Sequence, residues 1–231
     1  MKRVLIVDLE TNGVDATNDD IVEMGGVLYS ISNETTLASF SWLVKAPHND
    51  AFPINGIPFE AIEEHGINPE DANKRLDAWL QRGDVIVAHN ALFERGFIEP
   101  RCATATTKPW VCTQDDVDWP RKSPDQKLTS IMLAHGLGVS HAHRALTDCE
   151  MIARLFDRSA ELMMPTRTLL ERAMRPKALF AMVSPRFDAD KNAQAKAAGF
   201  RWDAIVPKRW ARRIALEDVD TLDLPFEIER V

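Results

Sequence analysis

The hydrophobic pattern near the start of the chain predicts a strand that is buried on both faces. Four apolar residues, Val4 to Val7, run without interruption into Asp8-Leu9-Glu10-Thr11. A continuous apolar run of this length is typical of a strand covered on both sides. Alternation along a strand puts Asp8 and Glu10 on the same side, where two close carboxylates favour a cation between them. A solvated turn at the end of a strand would give the same local pattern.

The rest of the first two thirds of the chain alternates between strand-like and helix-like segments. Strands are expected over residues 21–31, 35–44, 84–90 and 110–113, helices over 59–65, 69–81, 91–98, 128–135 and 143–162, and loops over 47–58 and 121–127. Asn90 is expected to cap the helix that follows it. An antiparallel meander followed by strand–helix units predicts an α/β fold with a mixed central sheet flanked by helices.

The last third of the chain is expected to form a second, smaller unit. We divide the chain into a domain over residues 1–162, a linker over 163–176 with prolines at both ends, and a small α+β domain over 177–231. Within this last part, the pattern predicts strands over 177–184, 200–202, 209–214 and 226–231 and a helix over 189–198.

Composition excludes several classes of protein. Hydrophobic residues make up 45% of the 231 residues, which is ample for a core, and no apolar run is long enough to span a bilayer. The three cysteines are unevenly spaced and argue against disulfides or a cysteine-based zinc site. We therefore expect a cytoplasmic protein that does not contact membranes. The net charge of −7 argues against a general polyanion-binding surface, although local basic patches can still bind nucleic acid.

One such basic patch is predicted in the C-terminal unit. Residues 186–213 contain eight basic and three acidic side chains, and Trp202 and Trp210 lie among them. Indole rings that stack on bases, next to arginines that neutralise phosphates, would suit single-stranded nucleic acid. The alternative is a small α+β unit whose tryptophans simply form its core.

Three short motifs occur in an order that characterises one family. They are Asp8-Leu9-Glu10-Thr11, His89-Asn90-Ala91-Leu92-Phe93-Glu94 and His143-Arg144-Ala145-Leu146-Thr147-Asp148. Together they resemble the DEDDh family of 3'-to-5' exonucleases, over roughly residues 1–160. Within that family, the third motif and Trp110-Val111-Cys112-Thr113 are most similar to exonuclease X and to the proofreading exonuclease of bacterial polymerase III. The resemblance implies an RNase H-like exonuclease fold.

The resemblance also implies the catalytic and metal-binding residues. Asp8 would bridge two divalent ions, Glu10 and Asp148 would complete the site that activates water, and Glu94 would position the other ion. Ligands that are all oxygen favour Mg²⁺ or Mn²⁺ over zinc. His143 would be the general base, since an imidazole can accept a proton near neutral pH. It precedes Asp148 by five residues, a little over one helical turn, which keeps it beside the ions.

Further residues are expected around the substrate. The resemblance places Leu9 and Thr11 where the family holds the terminal nucleotide, through backbone contacts and an apolar wedge. His89 and Asn90 are also assigned to the substrate site, and we interpret them as residues that shape the strand-to-helix turn rather than as metal ligands. His141 lies seven residues before Asp148, and we interpret it as a structural or solvent-exposed histidine.

One position departs from the family pattern, because Glu94 stands where the family has Asp. Glutamate is longer by one methylene group, so it would reach an ion directly or through a rearranged water. We expect activity with an altered metal preference or rate. The alternative is a weak or silent module that still binds nucleic acid.

The function implied by these residues is metal-dependent hydrolysis of phosphodiester bonds at the 3' ends of DNA, single-stranded or frayed, with release of nucleoside 5'-monophosphates. A polymerase or repair complex is a possible partner. An exoribonuclease on the same scaffold is an open alternative, since the motifs do not reveal how a 2'-hydroxyl is treated. A haloacid-dehalogenase-like phosphatase fits poorly, because it needs Asp-x-Asp where this chain has Asp8-Leu9-Glu10.

Overall fold

The computed structural model describes residues 1–139, 143–183, 188–203 and 205–231, which build two β-sheets and the helices around them. The predicted α/β fold with a mixed central sheet is confirmed. His141 lies outside the described residues.

The first sheet has five strands in the order β3-β2-β1-β4-β5. Strand β1 is antiparallel to β2 and parallel to β4, β2 is antiparallel to β3, and β4 is parallel to β5. The strands of this sheet are β1 (Arg3–Thr11), β2 (Ile21–Ser30), β3 (Thr35–Leu43), β4 (Val85–Ala88) and β5 (Trp110–Cys112).

Eight helices accompany this sheet in the described part of the chain. They are α1 (Phe52–Asn55), α2 (Phe59–His65), α3 (Pro69–Leu80), α4 (Ala91–Ile98), α5 (Ala103–Thr107), α6 (Leu128–Ala134), α7 (Ala145–Glu161) and α8 (Thr166–Ala173). The long helix expected over residues 143–162 is confirmed as α7. Three short helices, α1, α5 and α8, form in segments for which the sequence predicted none.

Strand β1 lies at the centre of the first core and is buried on both faces, as predicted. Val4 and Ile6 pack on one side with residues of α6, α7 and α8, while Leu5 and Val7 pack on the other side with residues of α3, α4 and α5. All four side chains are inaccessible to solvent. The strand therefore fixes Asp8 and Glu10 firmly at its end.

The start of helix α7 approaches β2 closely at Gly25. A Cβ on this residue would stand 2.4 Å from the backbone of Ala145 and Leu146, so only glycine leaves room for the start of α7. Gly25 is also the cross-strand partner of Asp8. The beginning of α7 is thus brought next to the acidic end of β1.

The C-terminal residues form the second sheet, which has four antiparallel strands in the order β7-β8-β6-β9. Its elements are β6 (Lys177–Met182), helix α9 (Ala189–Ala197), β7 (Arg201–Trp202), β8 (Trp210–Ala215), a 3-10 turn (Val219–Thr221) and β9 (Ile228–Arg230). They enclose a separate small core that includes Phe180 and Phe200. Residues 163–176, expected as a linker, contain α8, whose Leu169 and Leu170 pack in the core of the first sheet. The domain boundaries stay a prediction.

Candidate active site

Three carboxylates meet at the end of β1. Asp8 and Glu10 come from that strand and Asp148 from the first turn of α7, and each offers an oxygen within 4.8 Å of the others. Period-two alternation accounts for the first pair, and the close approach at Gly25 accounts for the third member. The structure therefore brings together residues from the first and third sequence motifs.

The second motif supplies Glu94 from the opposite face of the sheet. Helix α4 starts directly after β4, and Glu94 lies in its first turn with only 3% of its surface exposed. Its negative charge is the largest electrostatic contribution from a neighbour to the raised pKa of Asp8, after burial itself. Glu94 is thus close to the acidic cluster, although it is not one of the three residues whose oxygens lie within 4.8 Å.

Burial and mutual repulsion disturb the titration of all four acids. Burial, followed by repulsion from Asp148, raises the pKa of Glu10 to about 8. Burial raises the pKa of Asp148 to about 6, an effect that His143 partly offsets. The pKa values of Asp8 and Glu94 are also raised, in both cases mainly by burial. Such a concentration of perturbed carboxylates is typical of a functional site.

A bound divalent cation would relieve this repulsion, and the residues fit one. Within the described residues, Glu94 Oε2 and Asp148 Oδ1 are buried side-chain atoms without a hydrogen-bond partner. Buried polar atoms normally have partners, so these two oxygens are free to act as ligands. A donor set made only of carboxylate oxygens suits a hard cation. The cluster can therefore hold a divalent metal ion.

His143 lies two residues before the start of α7, in the left-handed backbone region at φ 69°. His143 is exposed to solvent. The next residue, Arg144, forms an ion pair with the buried Glu23 of β2. The Glu23 carboxylate also accepts hydrogen bonds from the Ala145 N–H at 3.0 Å and the Ser41 hydroxyl at 3.1 Å. This network fixes the backbone between His143 and the helix.

Sequence reasoning did not identify Glu23 or Gly25 as part of the site. Both lie in β2, where all ten residues are buried. A charge inside such a strand signals a buried partner, and the Gly25-Gly26 pair signals close packing against a neighbouring backbone. Neither signal reveals that the partner is the third motif, more than a hundred residues later.

His89 and Asn90 form the turn between β4 and α4. His89 Nδ1 shares a hydrogen bond of 2.9 Å with Thr113 Oγ1, and burial lowers the pKa of the imidazole to about 4. Asn90 occupies the N-cap position of α4, as expected, but its side chain makes no capping hydrogen bond. Its left-handed backbone, at φ 66°, makes the turn instead, and its carbonyl accepts the Phe93 N–H at 2.8 Å.

Leu9 and Thr11, expected near the substrate, are both buried in this structure. The Leu9 side chain packs in the core on the side of α3, α4 and α5, opposite to Asp8 and Glu10. The Thr11 hydroxyl donates to the Gly13 carbonyl at 2.5 Å, and the Thr11 carbonyl accepts from Asn55 at 3.4 Å. These contacts shape the loop after β1, and a direct contact with substrate stays a prediction.

The fold and the acidic cluster define an α/β protein with a carboxylate site at the end of its central strand. A family model described as "Exonuclease" matches residues 5–156, and the chain belongs to this family. The family resemblance inferred from the three motifs is thereby confirmed. Residues 181–231 match a second model, described as "Domain of unknown function (DUF8626)".

Several known proteins with similar sequences are PolC-type DNA polymerases III. A PolC-type DNA polymerase III from Thermotoga petrophila is 28% identical over 177 residues, which cover 69% of this chain and 12% of that protein. The corresponding protein from Clostridium perfringens is 29% identical over 163 residues, with 65% of this chain and 11% of that protein covered. This chain thus spans about an eighth of the length of these relatives.

Two solved structures share the fold. Exonuclease I of E. coli, in complex with a dT13 oligonucleotide, has a TM-score of 0.60 and 17% identity, covering 84% of this chain and 51% of that one. Exonuclease X, in complex with 5' overhanging duplex DNA, has a TM-score of 0.56 and 22% identity, covering 74% of this chain and 99% of that one. In the described part of this chain, none of the helices has the length and apolar character needed to cross a membrane.

Proposed function

We propose that this chain is a 3'-to-5' exonuclease of the DEDDh type, which hydrolyses phosphodiester bonds at the 3' ends of DNA and releases nucleoside 5'-monophosphates. The observation that carries the proposal is the convergence of four acids from three separate motifs on the end of β1. The family model over residues 5–156 supports nuclease chemistry, and the order of the motifs supports the subtype.

The acids of this site would hold two divalent ions, Mg²⁺ or Mn²⁺. Asp8, Glu10 and Asp148 would bind one ion, and Glu94 with the bridging Asp8 would bind the other. When bound, the ions would supply the positive charge that activates a water molecule and neutralises the phosphate and the leaving 3'-oxygen. Glu94 Oε2 and Asp148 Oδ1 are buried carboxylate oxygens that have no hydrogen-bond partner among the described residues, and they support this assignment.

His143 would act as the general base. It would accept the proton of the attacking water, while the Glu23 network holds the backbone beside it. Its exposure agrees with this role, because a proton acceptor must reach both the water and the solvent. Leu9 and Thr11 would contact the terminal nucleotide through their backbone, and His89 and Asn90 would hold the turn that carries Glu94.

Single-stranded DNA is the substrate that we favour. Exonuclease I, which has the same fold, is described in complex with a dT13 oligonucleotide, and the similar polymerases are DNA enzymes. RNA is the second candidate, because nothing in the motifs discriminates the sugar. A polymerase or repair complex would be a partner for such an enzyme.

A time course with 5'-labelled oligonucleotides tests the proposal. Single-stranded DNA and RNA of the same sequence are incubated with the protein in Mg²⁺, Mn²⁺ or EDTA, with Asp8→Ala as the control. We expect a ladder that shortens from the 3' end of the DNA only when metal is present and Asp8 is intact. No shortening with either metal, together with retained binding in a gel-shift assay, would favour a silent binding module instead.

A further inference from the structure

The C-terminal unit contacts the first unit through a cluster of three ion pairs. Asp115, Asp116 and Asp118 lie three to six residues after the end of β5, and we call residues 115–118 the acidic turn. Arg201 Nη1 lies 3.1 and 3.0 Å from the two Asp115 oxygens, Lys177 Nζ lies 2.7 Å from Asp116 Oδ1, and Arg212 Nη2 lies 3.2 Å from Asp118 Oδ1. All three bases belong to the C-terminal sheet.

The pair between Lys177 and Asp116 is the most enclosed of the three. The two side chains are 9% and 13% exposed, and Lys177 also donates to the Asp116 backbone carbonyl at 3.1 Å. Exposed ion pairs contribute little, whereas an enclosed pair holds its geometry because losing either partner leaves a desolvated charge. The C-terminal unit is therefore attached at a defined position on the acidic turn.

The acidic turn is bonded to the end of β5, and the residue after that strand is bonded to the second motif. Asp116 Oδ2 accepts the Cys112 N–H at 3.0 Å, which ties the turn to the end of β5. The next residue, Thr113, donates its N–H to the Ala88 carbonyl at 2.8 Å and shares the 2.9 Å hydrogen bond with His89. These contacts reach the β4–α4 turn, from which Glu94 is five residues away.

We propose that the C-terminal unit positions the second motif of the active site, with Lys177 and Arg201 as positioning residues that act through the acidic turn. The proposal rests on the exonuclease function proposed above. It assigns to residues 177–231 a role within this molecule. The unit holds the acidic turn, the acidic turn holds the end of β5, and Thr113 after β5 holds His89. The turn at His89 and Asn90 then sets where α4 presents Glu94.

The ion pairs made by the bases of the C-terminal unit argue against a basic surface that is free to bind nucleic acid. Arg201 and Arg212 are engaged by the acidic turn, and Arg209 Nη2 lies 2.6 Å from Glu229 Oε1 within the unit itself. Trp210 packs against the small core and donates to Asn192 Oδ1 at 2.8 Å, which leaves Trp202 as the half-exposed indole of the pair. Several charges that would attract nucleic acid are thus neutralised by neighbours.

Steady-state kinetics on the full chain distinguish positioning from nucleic-acid binding. We expect Lys177→Met and Arg201→Met to lower kcat by about 10- to 100-fold, as for other residues that orient a ligand-bearing side chain, with KM changed by less than about twofold. Arg213→Met is the matched control, because Arg213 is an exposed base on β8 without an ion pair among the described residues. A raised KM with unchanged kcat would overturn the proposal.

A charge exchange tests the same contact without depending on one damaging variant. Asp115→Arg combined with Arg201→Asp reverses the pair, and we expect it to recover most of the kcat lost in Arg201→Met. The milder Asp115→Asn, which keeps the size of the side chain, should show a smaller loss of kcat. If the exchanged protein is well folded and no more active than Arg201→Met, the ion pair does not position the site.

Hydrogen exchange gives a readout that is independent of activity. In the protein without nucleic acid, Arg201→Met and Lys177→Met should speed amide exchange in peptides that cover residues 86–95 and 110–119, whereas Arg213→Met should not. Exchange unchanged in residues 86–95 would overturn the proposal. Because this measurement needs no substrate, it decides the positioning role even if the wild-type protein degrades no DNA.

Discussion

The Glu23 carboxylate and the Arg144 guanidinium form a two-point ion pair that joins β2 to the third motif. Nε lies 3.0 Å from Oε2 and Nη2 lies 2.8 Å from Oε1, while the side chains are 2% exposed for Glu23 and 47% exposed for Arg144. Removing one partner of the pair therefore costs more stability than removing the other. Loss of the arginine leaves a buried anion beside other anions, whereas loss of the glutamate leaves a cation that reaches water.

This asymmetry predicts how the two variants differ in stability. Arg144→Ala should lower the free energy of unfolding by about 2 kcal/mol, less than the roughly 3 to 5 kcal/mol for a fully buried pair, because the guanidinium is half exposed. Glu23→Gln should cost less, since it also removes a charge that repels Glu10 and Asp8. Urea denaturation in EDTA measures both. The interpretation would be wrong if Glu23→Gln were the more damaging change, and Ser41→Ala, which loses one hydrogen bond to Glu23, is the control.

The parts of the site that depend on the local pattern of apolar and polar residues could be predicted from the sequence. Alternation in β1 predicted that Asp8 and Glu10 share a side, and the apolar stripe predicted the helix that carries Asp148. Glu23 was missed because nothing near it in the chain indicates a partner at Arg144. The charge count of the C-terminal unit was similarly incomplete, because composition cannot distinguish a free arginine from one paired with Asp115.

The same limit applies to the short helices. Helix α5 (Ala103–Thr107) has five residues, too few to display a helical period, and α1 (Phe52–Asn55) has four. Helix α8 (Thr166–Ala173) follows Pro165 in a segment whose prolines favoured a linker, and its stability comes from packing Leu169 and Leu170 in a distant core. Tertiary contacts, rather than intrinsic propensity, decide such segments.

The raised pKa values predict that the metal-free protein becomes less stable as the pH rises from 7 to 8. Glu10 has a pKa of about 8 when folded and 4.5 in the reference state, so the folded protein holds more protons in this interval. An acid whose pKa is raised by folding destabilises the protein as the pH increases, by at most about 1.4 kcal/mol per pH unit for each proton. The lowered pKa of His89, about 4, acts below pH 7 and does not interfere.

Thermal melting at pH 7.0, 7.5 and 8.0 in EDTA tests this prediction. We expect the Tm to fall with pH in EDTA and the fall to be smaller with Mn²⁺, since a cation stabilises the ionised carboxylates. Asp8→Asn removes one of the repelling charges and should melt at a higher temperature than the wild type in EDTA at pH 8. A Tm that rises over this interval in EDTA would contradict the electrostatic description of the site.

Glu94 stands where the family has aspartate. Its substitution tests whether the longer side chain is needed to reach the metal ion. We expect Glu94→Asp to remain active within about tenfold but with a changed ratio of rates in Mg²⁺ and Mn²⁺, because the carboxylate is withdrawn by one methylene group. Glu94→Gln keeps the size of the side chain but removes its charge, and we expect its activity to be lower by at least about 100-fold. Calorimetric titration with Mn²⁺ supplies a second measurement. Activity that appears only in Glu94→Asp would favour the silent binding module.

His143 provides the test of the general base. Replacement by alanine should lower kcat by about 10² to 10⁴, the usual contribution of a positioned proton acceptor. Because His143 is exposed and lies before α7, its side chain makes little contribution to the core, so the melting temperature should be unchanged. His141→Ala is the matched control, and we expect it to stay within about twofold of the wild-type rate. If His143→Ala retained nearly full activity while His141→Ala did not, the roles of the two histidines would have to be exchanged.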